Sequence, residues 1–246
     1  MGAVTVITSG KGGTGKTTSA AAIASCLAAL GHKTLCLDCD VGLKNLDLAL
    51  GLTDLAVMDF SDVISGRVEL TDAVTAHPSI DGLFFLSAPS YISPECISIE
   101  EMCLIMEKIR GEYEYCLIDS PAGLGAGFRL AACCADSAIV VSTFDASSLR
   151  DGQRTVAELL SLGMKDIRLL VNRVRPKLFR RICATVDDII DAVGARLIGL
   201  IPEDDDVIIA GSLEKPLVLH SRGAAARQFL AVAKRITGIE IPLGKY

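Results

Sequence analysis

The stretch that decides the fold is residues 3–18, AVTVITSGKGGTGKTT. It opens with an apolar run typical of a buried strand and continues with a glycine-rich segment, and an alanine-rich segment with high helix propensity follows at 20–30. A strand, a glycine loop and a helix in that order point backbone N–H groups and a helix N-terminus at one anion. The stretch therefore predicts a phosphate-binding loop.

Residues 10–17 match the P-loop pattern G-x-x-x-x-G-K-[ST]. Lys16 is placed to reach the β- and γ-phosphates of ATP, and the Thr17 hydroxyl is placed to bind Mg²⁺. A purely structural glycine-rich turn is the alternative, and the strand-loop-helix context disfavours it. The predicted nucleotide contacts from this loop are Gly10, Lys11, Gly12, Gly13, Thr14, Gly15, Lys16, Thr17 and Thr18.

The composition is that of a globular protein with a large core, since 50% of the 246 residues are hydrophobic. No linker divides the chain, so we predict a single P-loop ATPase domain over 1–246. The net charge of −6 argues against a surface devoted to nucleic acid, although it does not exclude a local basic stripe. Because the chain shows neither a signal peptide nor a membrane-spanning apolar stretch, we expect it to be cytoplasmic.

Buried-strand patterns alternate with helical patterns along the rest of the chain. The predicted strands lie at 33–38, 82–86, 115–119, 137–143, 167–171 and 197–201, and the clearest helices at 99–109 and 224–236. We expect hydroxyl caps at 147–148 to open a further helix. This alternation predicts a doubly wound, mostly parallel α/β sheet flanked by helices, with the ligand at the carboxyl ends of the strands.

Carboxylates stand at the ends of two predicted strands. Asp38 ends the strand at 33–38 and Asp40 follows it, and Asp119 ends the strand at 115–119, as in a Walker B motif. Carboxylates at this edge can hold Mg²⁺ through its waters or orient an attacking water. A surface aspartate in a loop is the alternative for Asp38 and Asp40. We predict metal-binding roles for Thr17, Asp38 and Asp119.

A second lysine, Lys11, lies inside the loop, where an ordinary P-loop accepts almost any residue. With it, residues 11–18 resemble the deviant Walker A loop K-G-G-x-G-K-T-T of the MinD/ParA family. The resemblance implies that Lys11 crosses a homodimer interface to the partner's nucleotide, as a cation supplied in trans. It also implies that dimerisation and ATP hydrolysis are coupled.

Three further segments narrow the resemblance to the MinD branch of that family. Residues 38–51 resemble D-x-D-x-G-x-R-N-L-D-x-x-x-G, with Lys44 where arginine is usual, and DSPAG at 119–123 and SSLRD at 147–151 resemble two other family motifs. The match implies that Asp40 positions the hydrolytic water, and it makes Lys11, Lys16 and Asp40 the catalytic candidates. The switch and interface candidates are Asn45, Asp47, Pro121, Gly123 and Asp151, and a plain solvated aspartate is an equal alternative for Asp151.

The resemblance also implies a base pocket. Asn172 resembles the family's adenine-edge contact, and Pro202, Glu203 and Asp204 resemble the loop that completes the pocket, with a helix-opening turn as the alternative reading of that loop. We include Arg173 among these contacts. Arg173 begins a run of five positive charges at 173–181. Such a run fits a solvated loop, a surface that binds anionic lipid or a surface that binds nucleic acid, and we favour these interpretations in that order.

The nine cysteines form an odd, irregular set, which favours reduced thiols over a disulfide framework. Cys36 and Cys39 make one C-x-x-C, and we expect both to pack in the core. Iron–sulfur relatives carry a cluster cysteine just after the second acidic motif, where this chain reads Pro-Ala-Gly at 121–123. An iron–sulfur role is therefore disfavoured.

The resemblance implies that the chain is a MinD-like ATPase that uses ATP and Mg²⁺. ATP-dependent dimerisation and hydrolysis-driven release would control division-site placement, with a MinC-like inhibitor and a MinE- or DivIVA-linked topology factor as partners. The alternatives are a ParA-like DNA-segregation ATPase, a flagellar or cargo-positioning ATPase, and an iron–sulfur carrier. The chain ends at Tyr246 without the basic membrane-targeting helix usual in the branch, so we expect weak liposome binding, with peripheral membrane association only if such a helix exists.

Overall fold

The computed structural model describes residues 1–41, 45–90, 92–182 and 185–243. The strands in these ranges are β1 Ala3–Thr8, β2 Thr34–Asp38, β3 Thr75–Ala76, β4 Leu83–Leu86, β5 Tyr115–Asp119, β6 Ser137–Ser142, β7 Asp166–Val174 and β8 Arg196–Pro202. They form one eight-stranded sheet in the order β3-β4-β2-β5-β1-β6-β7-β8. All neighbouring pairs are parallel except β3 with β4. The predicted doubly wound sheet is confirmed.

Helices cover both faces of the sheet. They are α1 Lys16–Ala29, α2 Leu46–Leu50, α3 Phe60–Ile64, α4 Leu70–Ala73, α5 Ile99–Glu112, α6 Ala126–Ala132, α7 Ala146–Ser161, α8 Pro176–Ile182, α9 Val186–Val193, α10 Asp205–Ser212, α11 Leu217–His220 and α12 Ala224–Ile236. A short 3₁₀ turn at Pro94–Cys96 precedes α5. None of these helices combines the length and the apolar character needed to cross a bilayer.

The core consists of two apolar layers, one on each face of the sheet. Helices α1, α2 and α12 pack in one layer, and α5, α6, α7 and α9 pack in the other. Alternate strand residues point to opposite faces, so Val6 belongs to one layer and Ile7 to the other. Cys36 and Cys39 are likewise buried in different layers, which confirms their packing role and separates their thiols.

Two local predictions are wrong. Helix α7 begins at Ala146, because the carboxylate of Asp145, not a hydroxyl, accepts the cap hydrogen bond from Ser148 N at 3.0 Å. The basic run at 173–181 is not a loop, because β7 continues to Val174 and α8 begins at Pro176. Proline suits the first position of a helix, since its fixed φ fits and its missing N–H is not needed there.

The cysteine prediction is wrong for one pair. Cys103 of α5 and Cys134 after α6 form a disulfide, because the two helices lie on the same face and bring the Cα atoms within 5.6 Å. Cys26, Cys36, Cys39 and Cys116 are buried free thiols, as expected. Cys183 lies outside the described residues.

Candidate nucleotide-binding site

The loop between β1 and α1 has the backbone of a phosphate cradle. Gly15 is the N-cap of α1, and its φ of 94° lies in the left-handed region that favours glycine. A Cβ atom on Gly15 would lie 2.3 Å from Asn172 Nδ2, and one on Gly10 would lie 2.5 Å from the carbonyl oxygen of Asp151. Both positions therefore require glycine, and the loop is held between β7 and α7.

Two carboxylates stand side by side next to this loop. Asp38 ends β2 and Asp119 ends β5, and the strand register pairs them directly. Asp119 is also paired with Ile7 of β1, the strand that leads into the loop. The sheet order places β5 between β2 and β1, and this arrangement brings both carboxylates to the N-terminus of α1.

Several buried polar atoms around the loop have no hydrogen-bond partner within the described residues. They include Asp38 Oδ2, Asp119 Oδ1 and Thr14 Oγ1. A buried polar atom without a partner destabilises a folded protein by about 1–3 kcal/mol. Oxygen atoms are the donors that Mg²⁺ prefers, and the Thr17 hydroxyl bonds to Asp119 beside them. This donor set fits a hydrated magnesium ion with a polyphosphate.

Burial shifts the pKa values of the ionisable groups in the site. Burial, reinforced by the charge of Asp119, raises the pKa of Asp38 to about 8. Burial also raises the pKa of Asp119 to about 7, although the Thr17 hydrogen bond and the charge of Lys16 oppose the shift. The pKa of Lys16 is lowered by burial, which Asp119 and Asp40 counteract. The chain therefore holds three desolvated ionisable groups in one place.

These carboxylates are expected to destabilise the ligand-free protein at alkaline pH. Between about pH 4 and pH 8 the native Asp38 keeps a proton that the unfolded chain has lost, so stability falls as the pH rises. Asp38→Asn should therefore raise the melting temperature at pH 8 by ~4 °C or more, and by less at pH 5. Calorimetry of the nucleotide-free protein measures this, with exposed Asp81→Asn as the control. An unchanged melting temperature at pH 8 would refute the prediction.

Asp40 and the switch I candidates lie just beyond β2. Asp40 is half-buried, and its backbone N–H donates to Asp38 Oδ1 at 2.8 Å, which fixes the turn after the strand. Asn45 is the N-cap of α2, and Asp47 in its first turn accepts from Leu48 N at 2.8 Å. Lys44 lies outside the described residues.

The switch II candidates are tied to the loop through the backbone. Ser120 N donates to Ile7 O at 3.1 Å, and Gly123 N donates to Ser9 O at 3.4 Å. Gly123 has a φ of 86°, and the ring of Pro121 contacts Gly127 at the start of α6. A shift of the phosphate loop would therefore move residues 120–123 through these backbone hydrogen bonds.

Lys11 contacts residues of its own chain. Its Nζ donates to Ser147 Oγ at 2.9 Å and lies 3.3 Å from Asp145 Oδ1. Hydrogen bonds from the Thr143 and Ser147 hydroxyls, the Ser148 N–H and Lys11 hold the pKa of Asp145 well below its usual range. The sequence reasoning missed Asp145 and Ser147 as partners of this lysine, although Ser147 opens the SSLRD motif and Asp145 lies two residues before it. In this chain, Lys11 is held at the start of α7, and it lines the open cleft over the loop together with Gly12 and Gly13.

Asp151 lies one turn further along α7. Its backbone carbonyl faces Gly10, and its half-buried carboxylate is 3.9 Å from Arg154 Nη1. The structure thus places Asp151 against the phosphate loop, and its role at an interface stays a prediction.

All of the predicted base contacts line one small cavity of about 180 Å³. Asn172 crosses to the loop, where its Nδ2 donates to Thr14 O at 2.8 Å, and Arg173 has a φ of 54°, which is unusual for a residue other than glycine. The predicted members of the lining are Gly15, Thr18, Asn172, Arg173, Pro202, Glu203 and Asp204, and those the sequence reasoning missed are Val207, Ile208 and Phe229. The missed residues are ordinary apolar positions on α10 and α12, and their sequence context gave no signal.

Asp204 and Glu203 also have structural partners. Asp204 caps α10 by accepting from Asp206 N at 3.1 Å, and it accepts from Ala225 N of α12 at 3.0 Å, so the helix-opening alternative holds for this residue. Glu203 pairs with Arg175. Beside this pair, a larger open cleft of about 490 Å³ extends over Gly12 and Gly13.

Comparisons with known proteins identify the family of the chain. Residues 5–217 match the CobQ/CobB/MinD/ParA nucleotide-binding domain. The chain is 36% identical to the septum site-determining protein MinD of Thermotoga maritima, over 99% of this chain and 91% of that protein. Its fold matches the MinC:MinD cell division protein complex of Aquifex aeolicus with a TM-score of 0.91 and 38% identity, covering 99% of both chains.

A structure of the septum site-determining protein MinD complexed with Mg-ADP from Pyrococcus horikoshii is also similar, with a TM-score of 0.82 and 27% identity over 96% of each chain. The family match covers both the phosphate loop and the paired carboxylates, and the relatives are similar over nearly their whole length. The chain belongs to the MinD family of CobQ/CobB/MinD/ParA nucleotide-binding proteins.

Proposed function

We propose that this chain is a Mg²⁺-dependent ATPase that dimerises with ATP and, through hydrolysis-driven release, controls the placement of the division site. The observation that carries the proposal is a group of buried oxygens beside the phosphate loop, on Asp38, Asp119 and Thr14, that have no hydrogen-bond partner among the described residues. Such atoms are costly unless a ligand engages them. The similarity to septum site-determining proteins supports the biological role.

Different residues around the loop would bind the phosphates, the metal ion and the base of ATP. Backbone N–H groups of 10–16 and the N-terminus of α1 bind the phosphates, and Lys16 supplies a buried positive charge. Thr17, Asp38 and Asp119 would hold Mg²⁺, with the two carboxylates side by side. When bound, Mg²⁺ neutralises phosphate charge as it develops during transfer. The cavity at Asn172 would take the base, with Phe229 and Ile208 as its apolar walls.

Asp40 is the residue proposed to orient the attacking water. It is half-buried at the edge of the site, close enough to Lys16 for their charges to interact, and its backbone is fixed by Asp38. Lys11 would leave Asp145 and Ser147 when two ATP-bound chains meet, and would contact the partner's phosphates. Because the same lysine cannot occupy both positions, its release would couple dimerisation to nucleotide state.

The proposed protein partners of this chain are inferred only from its relatives. A MinC-like inhibitor is proposed because the similar Aquifex aeolicus structure is a MinC:MinD complex. A MinE- or DivIVA-linked topology factor, a cytoplasmic location and association with the membrane face stay predictions. A DNA-binding role is disfavoured, since Arg175 of the basic run is engaged by Glu203 and the chain is acidic overall.

Lys16→Ala tests the ATP site directly. The variant should lose nucleotide affinity by about 100-fold or more, because it removes a buried charge-assisted contact to two phosphates. Isothermal titration with ADP and a non-hydrolysable ATP analogue, each with Mg²⁺, measures the change. Exposed Lys165→Ala is the control and should bind like the wild type. Equal affinities of Lys16→Ala and the wild type would exclude this site.

A further inference from the structure

A group of three sulfur atoms lies outside the nucleotide site. The Sγ atoms of Cys103, Cys133 and Cys134 are all within 4.8 Å of one another, and those of Cys133 and Cys134 are 3.4 Å apart. Cys103 is in the second turn of α5, whereas Cys133 is the C-cap of α6. All three side chains are partly exposed, so ions and redox reagents can reach them.

The surrounding structure holds the cluster together without the disulfide. Arg110 of α5 donates from Nη2 to Cys134 O at 2.7 Å and also pairs with Asp136. On the α6 side, Cys133 N donates to Arg129 O at 2.9 Å, and Cys133 Sγ donates to Leu130 O at 3.1 Å. The Arg110 side chain therefore ties the segment after α6 to α5 independently of the disulfide, and we expect the three sulfurs to stay close when Cys103 and Cys134 are reduced.

We propose that the reduced Cys103, Cys133 and Cys134 bind one thiophilic cation as thiolates, releasing their protons to solvent, with Cu(I) as the best fit, and that the disulfide closes the site. In closing, the Cys103 and Cys134 thiols give two electrons and two protons to an external low-molecular-weight disulfide, which becomes two thiols. A small dithiol reverses the exchange and forms its own disulfide. Cys133 is neither oxidised nor reduced in this exchange.

The donor set favours Cu(I) over other metal ions. Thiolates are soft ligands that select Cu(I), zinc and iron–sulfur clusters. Within the described ranges, the group contains three sulfurs and no His, Asp or Glu as a fourth ligand. Protein zinc sites are almost always four-coordinate, whereas Cu(I) is stable with three thiolates. The three-sulfur geometry therefore fits Cu(I) without an added ligand.

A competition titration tests this proposal on the full 246-residue chain. The protein is reduced with a phosphine under argon, freed of reductant, and titrated with Cu(I) against a chromogenic Cu(I) chelator. One equivalent should bind with a sulfur-to-copper charge-transfer band in the ultraviolet. Cys103→Ser, Cys133→Ser and Cys134→Ser should each weaken binding about tenfold or more. Cys96→Ser, an exposed cysteine outside the cluster, is the matched control.

Two further readouts keep the result independent of the nucleotide site. X-ray absorption at the copper edge should count three sulfur ligands, and a melting curve should show that each serine variant is folded. The chain oxidised by an excess of low-molecular-weight disulfide should bind no Cu(I). Wild-type affinity in Cys133→Ser, two sulfur ligands at the edge, no Cu(I) binding by the reduced chain, or retention of Cu(I) by the oxidised chain would each overturn the proposal.

Discussion

Lys11→Ala is expected to bind ATP nearly as tightly as the wild type but to lose ATP-dependent dimerisation. In the single chain, the Lys11 ammonium contacts Ser147 and Asp145, so we expect its removal to leave the monomer's phosphate contacts from the backbone and Lys16 in place. In the proposed dimer it would be the cation supplied in trans, and such a group contributes ~10³ to 10⁵ in rate. Activated hydrolysis should fall by a comparable factor.

Light scattering with saturating ATP measures the dimer, and an Asp40→Ala background prevents hydrolysis from emptying the sites. Asp145→Asn is the matched comparison, because asparagine preserves the cap of α7 but weakens the hold on Lys11. It should dimerise at a lower protein concentration than the wild type. A Lys11→Ala, Asp40→Ala double variant that still forms an ATP-dependent dimer would show that Lys11 acts only within its own chain.

Asp40→Asn is expected to retain MgATP affinity and to lose turnover by about 10² to 10⁴, the range typical of a positioned acid or base. The substitution keeps the size of the side chain and the backbone hydrogen bond to Asp38, and it removes only the acceptor charge. Single-turnover hydrolysis with a stimulating partner measures the rate, and titration measures the affinity. Asp81→Asn should hydrolyse normally. A wild-type rate in Asp40→Asn would move the water-orienting role to another residue.

Much of the scaffold could be predicted because its signals are local. The strand at 115–119 and the helix at 224–236 appear with the predicted bounds, since each is an uninterrupted apolar or periodic segment. The two-residue edge strand β3 could not be predicted, because it is too short to show alternation.

The site could be predicted only where a motif carries it. The phosphate loop and Asp119 are short patterns, whereas the contact of Lys11 with Asp145 joins residues 134 positions apart. The disulfide could not be predicted for the same reason, because it depends on how α5 and α6 pack and not on cysteine spacing. Apolar walls such as Phe229 look like any core residue until the fold places them beside the polar rim.

The buried oxygens of Asp38 and Asp119, which have no partner in the part of the chain that the structure describes, also bear on how long the protein survives in a cell. A ligand that binds the folded state at 100 times its Kd stabilises that state by about 2.7 kcal/mol, and here it would also relieve the buried carboxylates. Chains without nucleotide should therefore unfold and be degraded first. The abundance of this protein would then follow its nucleotide occupancy, so that a fall in the total pool of ATP and ADP reduces its amount as well as its activity.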